Sequence, residues 1–227
     1  MVAAEESMGA FVPRFSPAIA PLAGEEAGDA ALIVAAQDGS LEAFNRLVRR
    51  HERAVYNVAL RLVGASMAAE EVTQDTFMRA YGALARFRGG DFRPWLMRIA
   101  TNRAYDELRR RKRAPSSFEA LTYEPEVEWS TLIGVEDPDV RLERLELART
   151  LADALAQLPH DQRVAVVLSD VQGYDYWEIA AITGVPYGTV KSRLSRARGR
   201  LRVLLGDRLP TPIAAASREN PASARTG

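Results

Sequence analysis

The chain has 227 residues, a formal net charge of +0, 47% hydrophobic types and no cysteine. That length suits one or two domains with real apolar cores, and the missing cysteines exclude disulfides, thiolate metal sites and cysteine nucleophiles. With only two histidines a zinc site is not expected, no apolar run approaches the roughly 18–20 residues of a membrane span, and Glu5 and Glu6 stand where a signal peptide would be basic.

Residues 1–29 are rich in Ala, Pro, Gly and Glu, lack periodicity and read as a flexible extension. Helical spacing then sets in, with Leu41, Phe44, Leu47, Val48, Val55, Val58, Ala59 and Leu62 recurring every three or four positions. Gly64 reads as a stop and Ser66 as the N-cap of a second helix, whose apolar face is Val72, Thr76, Phe77, Ala80 and Leu84. The stretch FRGGD, Phe87 to Asp91, breaks the pattern with two glycines that permit positive φ. Pro94 suits a first turn, and a helix is expected from Trp95 to about Arg113, apolar at its start and purely basic in its closing LRRRKR.

Residues 114–138 hold Pro115, Pro125 and Pro138 among serines and acids, which marks a flexible acidic linker. A second block, 139–207, opens with Leu142, Leu145, Leu147, Leu151, Leu155 and Leu158 and is stopped by Pro159. A helix from Gln162 to Val171 ends near Gly173, and Asp175 with Glu178 forms a capping box for a short helix over Tyr176–Thr183. Gly184-Val185-Pro186 turns the chain into a last helix that runs to Leu205, and 208–227 reads as a disordered tail. No strand signal appears. The expected fold is all-α: two small helical domains, 30–113 and 139–207, joined by the linker.

Charge is unevenly spread. Arg86 to Arg113 and Lys191 to Arg208 are basic, and Glu119 to Asp139 between them is acidic. Separated basic blocks suit a protein that touches a polyanion at two places, and equally suit solvated helix faces. The last helix is more telling. Val190, Leu194, Ala197, Leu201 and Leu204 form one apolar stripe, while the opposite face carries Ser192, Ser195, Arg196 and Gly199 flanked by Lys191, Arg193 and Arg198. Small residues let a helix approach a major groove closely, and cations at its edges meet phosphates. No acid occurs from Gly188 to Gly206, unlike a solvated face that mixes Glu with Lys. With the turn before it, this is a helix-turn-helix pattern. Phe87, Phe92 and Trp95 interleave with arginines, as a stacking platform for unpaired bases would, and as core aromatics also would.

These stretches resemble the sigma-70 family of RNA polymerase sigma factors, extracytoplasmic-function (ECF) group. GVPYGTVKSRLSRARGRLRVLL is similar to that family's promoter-binding helix-turn-helix, region 4, and EEVTQDTFMRAYGALARFRGGDFRPWLMRIATNRAYDELRRRKR to its region 2. The resemblance spans about residues 30–207. It implies a cytoplasmic, non-enzymatic specificity subunit without cofactor or metal. Such a subunit binds core RNA polymerase through the β′ clamp and the β subunit, recognises −35 and −10 promoter elements and assists melting, commonly under an anti-sigma factor. For polymerase binding it points to Gln74, Asp75 and Phe77, with Glu71, Thr76 and Arg79 beside them. For the −10 element it points to the loop Arg88, Gly89, Gly90, Asp91 and Phe92, with Asn102 and Arg103 in the next helix; Asp106 falls at a position of the same pattern and is open to a structural pairing with Arg103 or Arg110. For the −35 element it points to Thr189, Lys191, Ser192, Ser195 and Arg196, with Arg193 and Arg198 as phosphate contacts. The chain departs from the pattern in a loop with few base-reading side chains, and in Trp177 and Tyr187, where smaller or more polar residues are expected. A stand-alone helix-turn-helix regulator would need neither the EEVTQDTF helix nor the glycine-aromatic loop, and no nucleophile or carboxylate constellation supports a DNA-processing enzyme. His51 and His160 stand apart as surface or structural residues.

Overall fold

A computed structural model describes residues 28–113 and 138–206. The expected extension, most of the linker and the tail lie outside the described residues. All regular structure among the described residues is helical, and no described helix is long and apolar enough to cross a membrane.

The first block is built from α1 (Asp29–Gln37), α2 (Leu41–Val63), α3 (Ser66–Leu84) and α4 (Phe92–Arg113). The Ser40 hydroxyl caps α2 by accepting the Ala43 N–H at 3.2 Å, and Gly64 ends it at φ 76°, a left-handed value that favours glycine. Phe44, Leu47, Val55, Val58, Ala59 and Leu62 of α2 are fully buried. Each large apolar side chain buried this way stabilises the fold by about 1.5–3 kcal/mol. Two expected boundaries move. Ser66 is the first residue of α3 and Ala65 occupies the cap position without a side-chain bond. Helix α4 starts at Phe92, three residues before Trp95, because the Asp91 carboxylate accepts the Arg93 N–H at 3.0 Å and so caps the helix upstream of Pro94.

Helix α1 has no counterpart among the helices expected from periodicity. It buries Leu32, Ile33 and Ala36 and ties the block together by polar contacts. The Gln37 side-chain amide donates to the Leu84 and Phe87 carbonyls at 2.9 and 2.8 Å, satisfying the end of α3. Asp29 binds the Arg50 guanidinium at 2.6 Å and His51 Nε2 at 2.7 Å. Burial raises the Asp29 pKa, but those two partners outweigh it and hold the carboxyl below its usual range.

The second block comprises α5 (Pro138–Ala156), α6 (His160–Val166), a π-helical turn (Val167–Val171), α7 (Tyr176–Thr183) and α8 (Tyr187–Leu205). The sequence suggests one helix from Gln162 to Val171. The structure widens its last turn instead, with Gln172 N–H reaching the Val167 carbonyl at 3.1 Å. The Asp175–Glu178 capping box is formed in both directions, with Asp175 Oδ1 accepting from Trp177 N and Glu178 N at 2.7 and 2.9 Å. Gly184 closes α7 at φ 70°. Val190, Leu194, Ala197 and Leu201 of α8 turn inward as expected, but Leu204 is 41% exposed and Leu205 is buried in its place, because the helical phase has drifted by the last turn.

The two blocks pack against each other. Arg163 of α6 donates to the Leu62 carbonyl at the end of α2 (2.7 Å), to the carbonyl of Ala156, the last residue of α5 (2.5 Å), and to that of Leu158 just beyond it (3.2 Å). One guanidinium thus closes two helix C-termini, where carbonyls lack intrahelical partners and the dipole favours a cation. Arg93 of α4 donates to the Gln172 backbone and side-chain oxygens, both at 3.3 Å, and lies 4.9 Å over the Tyr174 ring. Tyr105 of α4 stacks on His160 with ring centroids 4.8 Å apart, and Arg98 borders Gly184 in the turn between α7 and α8.

Candidate polymerase and nucleic-acid interface

The six residues singled out on α3 divide between surface and interior. Glu71 and Arg79 are exposed, and Gln74 and Asp75 half-buried. Thr76 and Phe77 point into the core at 0% and 2% exposure, and the Thr76 hydroxyl donates to the Val72 carbonyl at 2.6 Å. The physical reason is the helical period, which carries 76 and 77 to the same side as Val72, Ala80 and Leu84. Their contribution is to hold the helix in place. The exposed side carries two residues that sequence reasoning passed over, Met67 and Met78, at 68% and 51% exposure. Their spacing from Glu71 and Gln74, four, three and four residues along α3, was the available signal.

Between α3 and α4 lies a charged groove of about 300 Å³ lined by Glu71, Asp75, Arg103, Asp106, Glu107 and Arg110. Arg103 pairs with Asp75 across the groove and with Asp106 at 3.4 Å. Arg110 reaches Glu71 at 3.4 Å and Glu107 at 2.8 Å. Arg111 also binds Glu107, at 2.8 Å. Glu107 is the anchor of this network and is only 5% exposed. Burial raises its pKa, but hydrogen bonds from Arg110 and Arg111 prevail and keep it below the usual carboxylate range. The sequence offered it only through its spacing of three and four from those arginines. The structure therefore joins Arg103, assigned to DNA by resemblance, to Asp75, assigned to polymerase.

The loop before α4 exposes Arg88, Gly89, Gly90 and Asp91. The glycines stand at φ 92° and 96°, values that side-chain-bearing residues rarely adopt. Phe92 does not face outward with them. It is 2% exposed and packs on His51, Phe87 and Trp95 with ring centroids 5.4, 6.0 and 5.5 Å away. The three aromatics form a wedge under the loop, because Phe92 is already the first residue of α4 and turns inward with Leu96. Asn102 is exposed and lies between Arg98 and Tyr105 on the α4 side that meets the second block.

On α8, Lys191, Ser195 and Arg196 are exposed, and Thr189 and Ser192 half-buried; the Ser192 hydroxyl donates to the Thr189 carbonyl at 2.9 Å. The two flanking arginines are engaged within the block. Arg193 pairs with Asp161 at 3.1 Å. Arg198 binds Asp170 at 2.5 and 3.1 Å, the Ser169 hydroxyl at 3.2 Å and the Tyr176 hydroxyl at 3.4 Å. The bond to Asp170 raises the Arg198 pKa further above its ordinary value. Among the described residues no ion pair engages Lys191 or Arg196. The small face between them is thus open.

The chain has clear relatives. The family model for Sigma-70 region 2 matches residues 47–114 and that for Sigma-70, region 4, residues 148–201. The chain is 37% identical over 180 residues to the ECF RNA polymerase sigma factor SigE of Mycolicibacterium smegmatis, covering 78% of this chain and 67% of that one. It is 35% identical to the RNA polymerase sigma-H factor of Pseudomonas aeruginosa, over 75% of this chain and 90% of the other. Among solved structures it is similar to CnrH in complex with the cytosolic domain of CnrY, with a TM-score of 0.59 and 31% identity over 78% of this chain and 96% of that one. A second similar structure is the sigma factor RpoE in complex with the anti-sigma factor NepR from Bartonella quintana, with a TM-score of 0.54 and 30% identity over 73% and 98% of the two chains. With two region models matched in order on two helical blocks, and relatives of this identity over most of its length, the chain belongs to the sigma-70 family of RNA polymerase sigma factors, ECF group.

Proposed function

We propose the following division of labour for the surfaces of this sigma factor. As a member of its family the chain is an initiation factor, not an enzyme by itself: it binds core RNA polymerase and directs it to promoters. Residues 30–113 act as the polymerase and −10 domain and 139–207 as the −35 domain, with the acidic linker between them. Polymerase docks on the α3 face made by Met67, Glu71, Gln74, Asp75, Met78 and Arg79, where two exposed methionines flank exposed Glu71 and half-buried Gln74 and Asp75. Arg103 of α4 pairs with Asp75 across the groove and orients its carboxylate at the edge of that face. The loop Arg88–Asp91 and Asn102 meet the −10 strand, and Thr189, Lys191, Ser192, Ser195 and Arg196 meet the −35 groove. The protein works in the cytoplasm with polymerase, and an anti-sigma factor, as bound by its relative RpoE, controls access to these faces.

The observation that carries this reading is the open small-residue face of α8, bounded by Lys191 and Arg196, which are exposed and in no ion pair among the described residues. Run-off transcription with purified core polymerase on a promoter library tests it. Specific initiation is expected with core enzyme and little duplex binding without it; unaided binding to a palindrome with no initiation would overturn it. Two substitutions separate the surfaces. Asp75→Ala is expected to weaken core binding about tenfold in a fluorescence titration, with −35 selectivity of the remaining initiation unchanged. Arg196→Ala is expected to lower initiation about tenfold or more on promoters with a −35 element, the worth of one base-edge contact, and to leave core affinity intact.

A further inference from the structure

The two departures from the family pattern, Trp177 and Tyr187, are neighbours in space. Their rings lie 4.6 Å apart at 36°, and Tyr176 adds a third ring 5.8 Å from Tyr187. Tyr176 packs against the core, but Trp177 and Tyr187 do not belong to it. Trp177 is 61% exposed and Tyr187 37%, although exposing an indole forgoes the burial that normally accompanies it. Nor is this row of rings loosely placed. Trp177 sits within the capping box of α7, its N–H held by Asp175. Tyr187 is the first residue of α8. The Arg198 guanidinium, anchored on Asp170, donates to the Tyr176 hydroxyl at 3.4 Å and braces the row from behind.

Its position identifies what it meets. Tyr187, Lys191 and Ser195 follow one another at intervals of four along α8, so the aromatic row continues the rim of the groove-facing surface at the N-terminal end of the helix. In a helix-turn-helix that end enters the major groove, and the residues at its rim lie against the backbone of one strand. A flat apolar ring there packs on deoxyribose, while the Tyr187 hydroxyl and the Trp177 indole N–H can each donate to a phosphate oxygen. The acids beside the row, Asp175 and Glu178, are turned onto backbone N–H groups of the capping box, and Lys191 supplies a cation one turn on.

We propose that Trp177 and Tyr187 form a backbone clamp that grips one strand of duplex DNA at the edge of the −35 element and fixes how deeply α8 enters the groove. This inference rests on the −35 reading of α8. The test uses holoenzyme reconstituted from full-length protein and core polymerase, on a promoter selected from the library. Trp177→Ala and Tyr187→Ala are expected to shorten the lifetime of the promoter complex roughly tenfold, in line with one aromatic contact. They should leave initiation unchanged on a pre-melted template that lacks the −35 element. Tyr187→Phe keeps the ring and loses only the hydroxyl, so its shorter loss divides stacking from hydrogen bonding. A methylphosphonate scan of the −35 strands should find one phosphate whose neutralisation weakens wild type and not the Trp177→Ala variant. Unchanged lifetimes in both alanine variants would overturn the clamp while leaving the −35 reading intact. A parallel loss of core affinity would overturn it too, by making the row a polymerase contact. Failure of wild type to distinguish templates with and without a −35 element would overturn the parent reading and the clamp together.

Discussion

Replacing Arg163 with alanine is expected to lower the stability of the protein by about 3 kcal/mol and to loosen the packing between its two helical blocks. The guanidinium donates to the Leu62 carbonyl of one block and to the Ala156 and Leu158 carbonyls of the other. Hydrogen bonds from a charged donor contribute about 1.5–3 kcal/mol, and each buried carbonyl left without a partner costs about 1–3 kcal/mol more. Burial of this cation lowers the Arg163 pKa from its ordinary value. Water entering the vacated space can satisfy some carbonyls, so the expected loss stays near the low end of the sum. Urea denaturation measures the stability, and small-angle scattering the separation of the blocks. Lysine at the same position is expected to recover part of the effect, because its ammonium lacks the planar fork that serves two helix ends at once. An unchanged denaturation midpoint for the alanine variant would show that the contact contributes nothing net.

The second large effect is a dependence on pH in the mildly acidic range. Burial lowers the His160 pKa to about 4, assisted by the cations Arg163, Lys112 and Arg193 and opposed by Asp161. The folded protein therefore keeps this imidazole neutral, stacked on Tyr105, while the unfolded chain takes up a proton at a pH near 6.5. Because the unfolded state binds more protons between pH 6.5 and about 4, stability falls as pH is lowered through that window and is fully present above it. The size is up to about 3 kcal/mol by the usual conversion. Denaturation midpoints from pH 7.5 to 4.5 should drop for wild type and drop less for His160→Phe, which keeps a ring against Tyr105. Equal slopes for the two proteins would exclude His160 as the source.

The reach of the sequence can be followed residue by residue. Signals that act within one helical turn were legible: Gly64 as a stop, Gly184 in the turn, the Asp175–Glu178 box, and the inward stripe of α8 as far as Leu201, though not Leu204. The two-block plan was legible too, since composition changes sharply between them. Features that depend on distant partners were not. Helix α1 has only three buried apolar residues and is held by Gln37 and Asp29, whose partners lie 21 to 50 positions away. That Arg198 binds Asp170, 28 positions upstream, has no local signal. The same holds for the pairing of Arg103 with Asp75 on the neighbouring helix. Phe77 and Phe92 match family positions by letter, but one residue of helical phase decides whether a ring faces out or in, and both face in. The packing of the blocks rests on contacts such as that of Arg163 with Leu62, 101 positions apart, which no local pattern encodes.

The engaged state of Arg193 and Arg198 bears on how this factor responds to ionic strength. From Gly188 to Gly206 the sequence carries six cations, Lys191, Arg193, Arg196, Arg198, Arg200 and Arg202. Each phosphate neutralised by a free cation releases a condensed counterion, and the logarithm of affinity then falls with the logarithm of salt by about 0.9 per contact. Two of the six already hold carboxylates of their own block. Moving either to a phosphate exchanges one anion for another and leaves a carboxylate that must recruit a cation from solution. The helix therefore draws less on counterion release than its count of basic residues suggests, and its grip on a promoter should be correspondingly less sensitive to a rise in salt.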